Sequence, residues 1–181
     1  KHVPPGQGAK LSMTSKKVGI LTLPLWSNYG GILQACALYR VLQQKGFEPV
    51  LIRKKYHRSF WRRFLARSLE ALPSKNMIKQ ISFEKHVAIY KSFVDAFAPV
   101  QTSIVYTEDD LKKVIVKSGI DTIVVGSDQV WRSDYVRAKD FSTFFLGIDA
   151  DVKRVSYAAS FGKHEWTRLS EIQNIQEYLE K

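Results

Sequence analysis

The sequence is poor in cysteine, with a single one, and has no long apolar run. Both features limit the classes of protein to which it can belong. One thiol, Cys36, excludes an intramolecular disulfide, and its place in a predicted helix favours a buried core residue over a catalytic thiol. No apolar stretch approaches the ~20 residues that span a bilayer. The N-terminal region also lacks the apolar core of a signal peptide, so we expect a cytoplasmic protein.

Cofactor and metal motifs are missing as well. The sequence contains no GxGxxG fingerprint and no P-loop, and its histidines and acids do not show metal-ligand spacing. We therefore expect neither a cofactor nor a metal. Acids are scarce at one end: residues 1–67 hold 13 Lys or Arg and one acid, Glu48, whereas residues 68–181 hold 15 bases and 16 acids. The net charge of +11 thus comes from the first third, which would attract anions.

Apolar runs and helical patterns alternate along the chain, which has a length of 181 residues that suits one domain. Strands are predicted at 17–25, 49–52, 122–125, 141–146 and 152–159, and helices at 35–45, 74–98, 108–117 and 166–180. Residues 1–16 show no periodicity and are interpreted as a flexible leader or a cloning remnant. The alternation predicts an α/β fold with a doubly wound, mainly parallel sheet.

The junction between the first strand and the first helix carries the clearest chemical signal. Gly30 and Gly31 would allow positive φ and a close approach of a ligand to the backbone. Asn28 and Gln34 beside them offer amide donors and acceptors that suit a sugar hydroxyl or a carboxylate. In α/β sheets, a helix N-terminus at the carboxyl end of a strand commonly holds such ligands. The alternative is a tight turn without a ligand.

Two later loops are predicted to reach the same edge of the sheet. Ser127, Asp128 and Trp131 follow the strand at 122–125, and Ser160 follows the strand at 152–159. Asp128 could accept a proton from a sugar hydroxyl, and Trp131 could stack on a pyranose ring. The commoner role of an Asp directly after a strand, as an N-cap or in an Asx turn, stays open. Polar loops at one edge predict a cleft.

Residues 53–67 form a basic segment with seven Lys or Arg and no acid. Phe60, Trp61, Phe64 and Leu65 recur at helical spacing between the arginines, which is typical of a helix at an anionic membrane surface or on a polyanion. Packing of the aromatics on the protein, with a solvated basic face, is the alternative. No nucleic-acid-binding motif is present, so we expect no nucleic-acid partner.

Three stretches, in this order, resemble the polysaccharide pyruvyl transferase family over roughly residues 17–166. The first joins Val18-Gly19-Ile20-Leu21-Thr22-Leu23 to Asn28-Tyr29-Gly30-Gly31-Ile32-Leu33-Gln34-Ala35. The others are Val124-Val125-Gly126-Ser127-Asp128-Gln129-Val130-Trp131 and Lys153-Arg154-Val155-Ser156-Tyr157-Ala158-Ala159-Ser160-Phe161-Gly162. The resemblance implies one half of a two-domain fold like that of B-type glycosyltransferases. Residues 17–181 would then be the Rossmann-like N-terminal domain, and the second domain would be absent.

The same resemblance implies the reaction. The enolpyruvyl group of phosphoenolpyruvate would move to two hydroxyls of a sugar in a capsule or exopolysaccharide precursor, as a ketal. The second domain would supply most of the donor-binding residues, so we expect this chain alone to be inactive. Asp128 would be catalytic, and the remaining candidates would bind the acceptor: Asn28, Gly30, Gly31, Gln34, Ser127, Trp131 and Ser160.

Two further expectations concern partners. The acceptor sugar can be lipid-linked in such pathways, and residues 53–67 would then hold the enzyme at the inner face of the membrane. The alternative function is a non-catalytic domain, or a partner subunit, that binds a sugar or a polyanion with the same fold.

Overall fold

A computed structural model describes residues 16–26, 28–56, 76–163 and 169–180. Within these residues, five strands form one parallel sheet in the order β3-β2-β1-β4-β5. The strands are β1 Lys17–Leu21, β2 Glu48–Lys54, β3 Gln101–Val105, β4 Thr122–Gly126 and β5 Lys153–Tyr157. The helices are α1 Tyr29–Gln44, α2 Asn76–Phe97, α3 Glu108–Ser118, α4 Phe141–Phe144 and α5 Ile172–Leu179. The predicted α/β fold is confirmed.

Apolar side chains cover both faces of the sheet, because successive strand residues point to opposite faces. On one face, Ile20 of β1 and Leu51 of β2 pack with buried residues of α1 and α2. On the other face, Leu21 and Ile52 pack with buried residues of α3, α4 and α5. The sheet is therefore doubly wound, as the alternation of elements predicts.

The order of the strands reverses between β1 and β4. From β1 the chain runs through α1 to β2 and on to β3 at one edge, then returns through α3 to β4 on the other side of β1. In open α/β sheets, such a switch point leaves a crevice outside the carboxyl ends of the two strands. Asn28 follows β1 and Asp128 follows β4, so both lie at this crevice.

Helix α1 begins at Tyr29 instead of residue 35. Asn28 is its N-cap, and the side-chain oxygen of Asn28 accepts a hydrogen bond from the N–H of Gly31 at 3.3 Å. Gly30, Gly31 and Gln34 therefore lie in the first turns of the helix, and the prediction of a loop there is wrong. Neither glycine has a positive φ. The helix starts early because Asn28 caps it. In the sequence this start is difficult to recognise, because a Gly-Gly pair is typical of a turn.

Residues 141–146 were expected to form a strand, and this prediction is wrong. Phe141–Phe144 is a short helix, preceded by a 3-10 turn at Ala138–Asp140. Phe141, Phe144 and Phe145 are all buried in the core. The run Phe-Ser-Thr-Phe-Phe-Leu is too short for its periodicity alone to separate a strand from a helix. The spacing of these three aromatics, i, i+3 and i+4, places them on one helical face.

The other predicted elements agree with the structure with shifted ends, and among the strands the largest shift is that of β1, which ends at Leu21 instead of residue 25. Strand β3, Gln101–Val105, was not predicted, because its sequence Gln-Thr-Ser-Ile-Val contains no apolar run. Gly46 has a φ of 83° just after α1, and Gly119 has a φ of 62° at the end of α3. Thr107 and Asp110 form a reciprocal capping box at the start of α3. Within the last predicted helix, Leu169–Glu171 is a 3-10 turn and α5 begins at Ile172, and residues 166–168 lie outside the described residues.

The predicted basic helix is corrected at its start. Arg53 and Lys54 are the last residues of β2, so no helix begins at residue 53. Residues 57–67, which carry its aromatic pattern, lie outside the described residues, and so do residues 1–15 of the leader. The membrane contact stays a prediction. None of the helices within the described ranges is long and apolar enough to cross a membrane.

Candidate functional site

Asn28 and Asp128 meet at the switch point of the sheet. The Nδ2 group of Asn28 donates to Oδ2 of Asp128 at 3.4 Å, although 100 positions separate the two residues. The other carboxylate oxygen, Oδ1, accepts from the backbone N–H of Gln129 at 2.7 Å. The carboxylate is thus held from both sides at the start of α1. This contact joins the two loops that the sequence analysis places at one edge.

Gly31 makes this close approach possible. A Cβ atom at Gly31 would lie 2.8 Å from Oδ2 of Asp128 and 3.3 Å from Nδ2 of Asn28, which is closer than packed atoms normally come. The first turn of α1 and the carboxylate therefore share space that only glycine leaves open. The N-terminal end of a helix also carries partial positive charge, which favours an anionic side chain nearby.

A strained turn at the end of β4 presents Ser127 and Asp128. Gly126 has a φ of 129°, and a Cβ atom there would collide with the carbonyl oxygen of Tyr157. Ser127 has a φ of 53°, and its N–H donates to that same carbonyl at 2.6 Å. The Oγ atom of Ser127 is buried and has no hydrogen-bond partner among the described residues. Such strain is commonly stored at functional sites.

The loop with Ser160 joins the site through its backbone. The N–H of Ser160 donates to the carbonyl of Asp128, and the carbonyl of Ser160 accepts from the N–H of Trp131, both at 3.2 Å. Its Oγ atom accepts from the N–H of Gly162 at 3.0 Å. The loops after β4 and β5 are therefore hydrogen-bonded to each other, and Ser160 is exposed beside Asp128.

Trp131 is half-buried and anchors the loop to the core. Its indole N–H donates to the carbonyl of Phe144 at 2.9 Å. Its ring stacks on Phe145 with centroids 5.2 Å apart and an interplanar angle of 6°, and Phe161 lies against it at 5.4 Å. These contacts within the protein are sufficient to explain the position of Trp131, so no bound ligand is needed to account for it. Whether a sugar also contacts the ring stays a prediction.

Gly30 and Gln34 are less closely joined to the site. Both are exposed in the first turns of α1, and no hydrogen bond within the described part of the chain links either one to Asp128. The structure therefore brings together Asn28, Gly31, Ser127, Asp128, Trp131 and Ser160. Gly30 and Gln34 border this group on the solvent side of α1.

Sequence analysis missed a buried ion pair at the end of β2. The Nζ atom of Lys54 lies 2.7 Å from Oδ1 of Asp140 and donates to the carbonyl of Tyr106, also at 2.7 Å. The two side chains are 0% and 5% exposed, and Oδ2 of Asp140 has no hydrogen-bond partner in the part of the chain that is described. Lys54 lies two positions after Ile52 in the strand, so both side chains point to the same face, toward the core. This alternation was the sequence signal that could have revealed a buried Lys54.

Tyr56 lies beside this pair. Its hydroxyl donates to the carbonyl of Tyr135 at 2.9 Å, and the guanidinium of Arg137 lies 4.7 Å from its ring centroid. Burial first, and then the charge of Asp140, raise the pKa of Tyr56 to about 12, although Arg137 opposes the shift. The phenol is therefore neutral at physiological pH.

Metal ligation has no support in the described ranges. Across residues 16–26, 28–56, 76–163 and 169–180, no group of three or more His, Cys, Asp or Glu side chains is placed to hold an ion. The chemistry available at the switch point is thus that of one carboxylate, one amide, serine hydroxyls and the amides at the start of a helix.

A doubly wound parallel sheet with a polar crevice at its switch point defines a Rossmann-like α/β domain, a class in which ligands commonly bind at that crevice. The chain belongs to the polysaccharide pyruvyl transferase family, whose model matches residues 28–181. The match includes all of the candidate site residues.

Comparisons with other proteins add little to this assignment. A search of curated proteins found no match. Among solved structures, the chain is similar to the crystal structure of a hypothetical protein, with 13% identity and a TM-score of 0.36 over 80% of this chain and 98% of that one. This likeness is too weak to support any conclusion about fold or function.

Proposed function

We propose that the protein transfers the enolpyruvyl group of phosphoenolpyruvate to a sugar of a capsule or exopolysaccharide precursor, and that this domain forms the acceptor side of the site. Membership of the pyruvyl transferase family supports the reaction class. The observation that carries the assignment of the site is the Asn28–Asp128 contact at the switch point.

The proton balance of ketal formation defines what the site must do. Two sugar hydroxyls lose their protons as their oxygens bond to C2 of the enolpyruvyl group. One proton is gained by the methylene carbon, which becomes a methyl group, and the other leaves with the released phosphate. A base near the hydroxyls and an acid near the methylene carbon are therefore both needed.

Asp128 suits the role of the base in this proposal. Each of its carboxylate oxygens accepts one hydrogen bond from the protein, from Gln129 and Asn28, and an ionised carboxylate has about four acceptor positions. A sugar hydroxyl can therefore donate to Asp128 without displacing either partner. The 3.4 Å contact with Asn28 is long, so Oδ2 is the oxygen that a hydroxyl would engage.

The surrounding residues would orient the sugar. Ser160 is exposed beside Asp128 and offers a hydroxyl group, and Gln34 offers an exposed amide one turn along α1. The Oγ atom of Ser127 is buried, so in this proposal Ser127 shapes the turn that carries Asp128. Gly30 leaves the solvent side of the first turn open. In this proposal Trp131 mainly holds the loop in position, because its indole N–H and one ring face are engaged with the core.

Phosphate release from phosphoenolpyruvate tests the proposal, with the protein at its natural length and a panel of 4-nitrophenyl pyranosides as acceptors. Removing a general base typically costs about 10²–10⁴-fold in rate, so we expect Asp128→Asn to lower phosphate release by about 100-fold or more. Gln34→Ala should raise the KM for the sugar by about tenfold, the loss expected for one hydrogen bond to a ligand.

The exposed Asp151 gives a matched control, since Asp151→Asn removes the same charge away from the switch point. Phosphate release at the wild-type rate by both Asp128→Asn and Gln34→Ala would refute the assignment of the site. Sugar binding without any turnover would instead favour a non-catalytic sugar-binding domain.

A further inference from the structure

The first turn of α1 follows the Asn28 cap, yet its own sequence gives it little helical stability. Gly30 and Gly31 occupy two of its first three helical positions, and glycine is the weakest helix former after proline. No acidic residue in this turn complements the positive end of the helix dipole. The turn therefore depends on contacts with other parts of the chain.

The hydrogen bonds of the Asn28 side chain hold this turn only loosely. Its oxygen accepts from the N–H of Gly31 at 3.3 Å, and its amide group donates to Asp128 at 3.4 Å, so both hydrogen bonds are long. Asn28 and the two residues after it are exposed, and burial of α1 in the core begins at Gly31. A further contact at the exposed start of the helix therefore has a strong influence on where Asn28 lies.

Tyr29 and Tyr90 supply such a contact between α1 and α2. Their rings meet edge to face, with centroids 4.7 Å apart and an interplanar angle of 82°, and a hydrogen bond joins their side chains. Aromatic pairs in this arrangement attract each other beyond the effect of the area that they bury. Tyr29 is the first residue of α1 and follows Asn28 directly, so this contact holds the chain next to the cap.

Tyr90 is a firm anchor for Tyr29. It belongs to the core cluster on the face of the sheet that α1 and α2 cover, and it is 9% exposed, whereas Tyr29 is 61% exposed. The ring of His86, one turn earlier in α2, has its centroid 6.5 Å from that of Tyr90. Burial first, and then the hydrogen bond with Tyr29, raise the pKa of Tyr90 to about 12. Its hydroxyl therefore keeps its proton at physiological pH, and the hydrogen bond persists there.

We propose that Tyr90 is a positioning residue, which fixes the first turn of α1 through Tyr29 and the Asp128 carboxylate through Asn28. The start of α1 is then held from two sides, by the loop after β4 and by α2. The catalytic part of this proposal rests on Asp128 as the base of the proposed transfer, because a displaced base is poorly aligned with the hydroxyl that it deprotonates. The part that concerns the turn does not depend on the reaction.

Hydrogen exchange and chemical shifts, both measured by NMR, test the contact without any substrate. The N–H of Gly31 bonds to Asn28, so its exchange reports local opening of the turn. The N–H of Gln129 donates to Asp128 at 2.7 Å, so its resonance reports on the carboxylate. We expect Tyr90→Phe to accelerate exchange at Gly31 by about fivefold, as the loss of one hydrogen bond does, and to shift the resonance of Gln129.

A second variant checks that the effect passes through Tyr29. Tyr29→Phe removes the other half of the same hydrogen bond, so it should accelerate exchange at Gly31 as much as Tyr90→Phe does. The double variant should add nothing further, because the two residues share one interaction. Wild-type exchange in Tyr29→Phe would overturn the proposed route.

Tyr39→Phe provides the matched control. Tyr39 lies in the same helix and the same core cluster, and its hydroxyl accepts from the N–H of Val100 at 3.3 Å. This variant therefore also removes one hydroxyl that takes part in a hydrogen bond, but away from the first turn. Exchange at Gly31 and the resonance of Gln129 should stay at their wild-type values, and urea unfolding checks that each variant is folded.

Activity separates a positioning role from a merely structural contact. In the phosphate-release assay, with the protein at its natural length, Tyr90→Phe should lower kcat by about fivefold and leave the KM for the sugar unchanged, because the alignment of the base is what changes. A wild-type kcat, or an effect on KM alone, would overturn the positioning role.

The two kinds of measurement can fail separately. Wild-type exchange at Gly31 in Tyr90→Phe would overturn the proposal, and so would equal acceleration by Tyr39→Phe. If the wild-type protein released no phosphate, pyruvyl transfer would be refuted. Exchange at Gly31 and the resonance of Gln129 would still decide whether Tyr90 holds the turn and the carboxylate.

Discussion

Two adjacent glycines have different roles in the first turn of α1. A Cβ atom at Gly31 would lie 2.8 Å from the Asp128 carboxylate, whereas at Gly30 the nearest atom, Oδ1 of Asn28, is at an ordinary 3.4 Å. Neither glycine is needed for a positive φ. The requirement at Gly31 is therefore one of space for the neighbouring carboxylate, and Gly30 carries no such requirement.

Alanine at each glycine should separate these roles. We expect Gly31→Ala to be less stable than Gly30→Ala by about 1–3 kcal/mol, the usual range for overpacking, because Asp128 must move. Gly30→Ala should be neutral or stabilising, by up to about 1 kcal/mol, because alanine favours a helix. Urea unfolding of both variants measures the difference. Equal stabilities would show that the carboxylate moves aside at no cost.

At the scale of single elements, helix α3 has the clearest sequence signals for its start and its end. Thr107 accepts from the N–H of Asp110, and the Asp110 carboxylate accepts from the N–H groups of Tyr106 and Thr107 at 3.0 Å each. These backbone hydrogen bonds, that from Tyr106 first, lower the pKa of Asp110 below its usual value of 3.8. The capping box therefore stabilises the folded state through an ionised carboxylate.

The capping box gives a prediction with a defined pH dependence. Thr107→Ala should lower the free energy of unfolding by about 1 kcal/mol, as is typical for a lost N-cap. Because the folded pKa of Asp110 is depressed, its stabilisation is present above pH 3.8 and is lost as the pH falls through the folded value. The stability difference between wild type and Asp110→Asn should therefore shrink in acid. Asp109→Asn, in the same turn, controls for charge, and an identical loss there would contradict this account.

Local sequence signals, such as caps, glycines and apolar runs, explain which elements could be predicted from the sequence. The capping box and Gly119 define α3 within a dozen residues, and apolar runs bounded by turns define β1, β2, β4 and β5. Strand β3, Gln-Thr-Ser-Ile-Val, has no such run and was missed. The run 141–146 was misassigned because six residues are too few for a periodicity that separates a strand from a helix. The start of α1 was placed late because the Gly-Gly pair resembles a turn. These two errors lie where a short pattern fits two structures: the aromatic core decides the first, and the Asn28 cap decides the second.

At the scale of the whole molecule, topology made one long-range contact predictable and left another hidden. The approach of Asn28 to Asp128 follows from parallel strands whose carboxyl ends share an edge. The pair Lys54 and Asp140 spans 86 positions with no such rule, since Asp140 lies in an irregular region after β4. A sequence pattern indicates which face of the sheet a strand residue points to, but it does not indicate which distant residue it contacts.

This buried pair connects β2 to the segment that leads into α4, and its loss should affect the entire fold. We expect Lys54→Met to cost about 3–5 kcal/mol, because it leaves the Asp140 carboxylate buried and unpaired. The double variant Lys54→Met with Asp140→Leu should cost less than the single one. Lys91→Met is the control, because its pair with Asp95 is 69% and 45% exposed and such pairs contribute about 0–1 kcal/mol. Urea unfolding of Lys54→Met, Asp140→Leu and the double variant measures the three losses of stability. If the loss in the double variant equals the sum of the two single losses, Lys54 and Asp140 are not coupled.

The distance in sequence between Asn28 and Asp128 also has a consequence for biosynthesis. The central strand β1 pairs with β2 early in the chain, but its other neighbour, β4, is translated about 100 residues later. At roughly 5–20 residues per second, the ribosome needs about 5–20 s to supply that neighbour. During this interval the edge of β1 lacks its native partner, and the crevice at the switch point has only one of its two walls. The nascent protein therefore completes the Asn28–Asp128 crevice only after most of the described sheet has emerged.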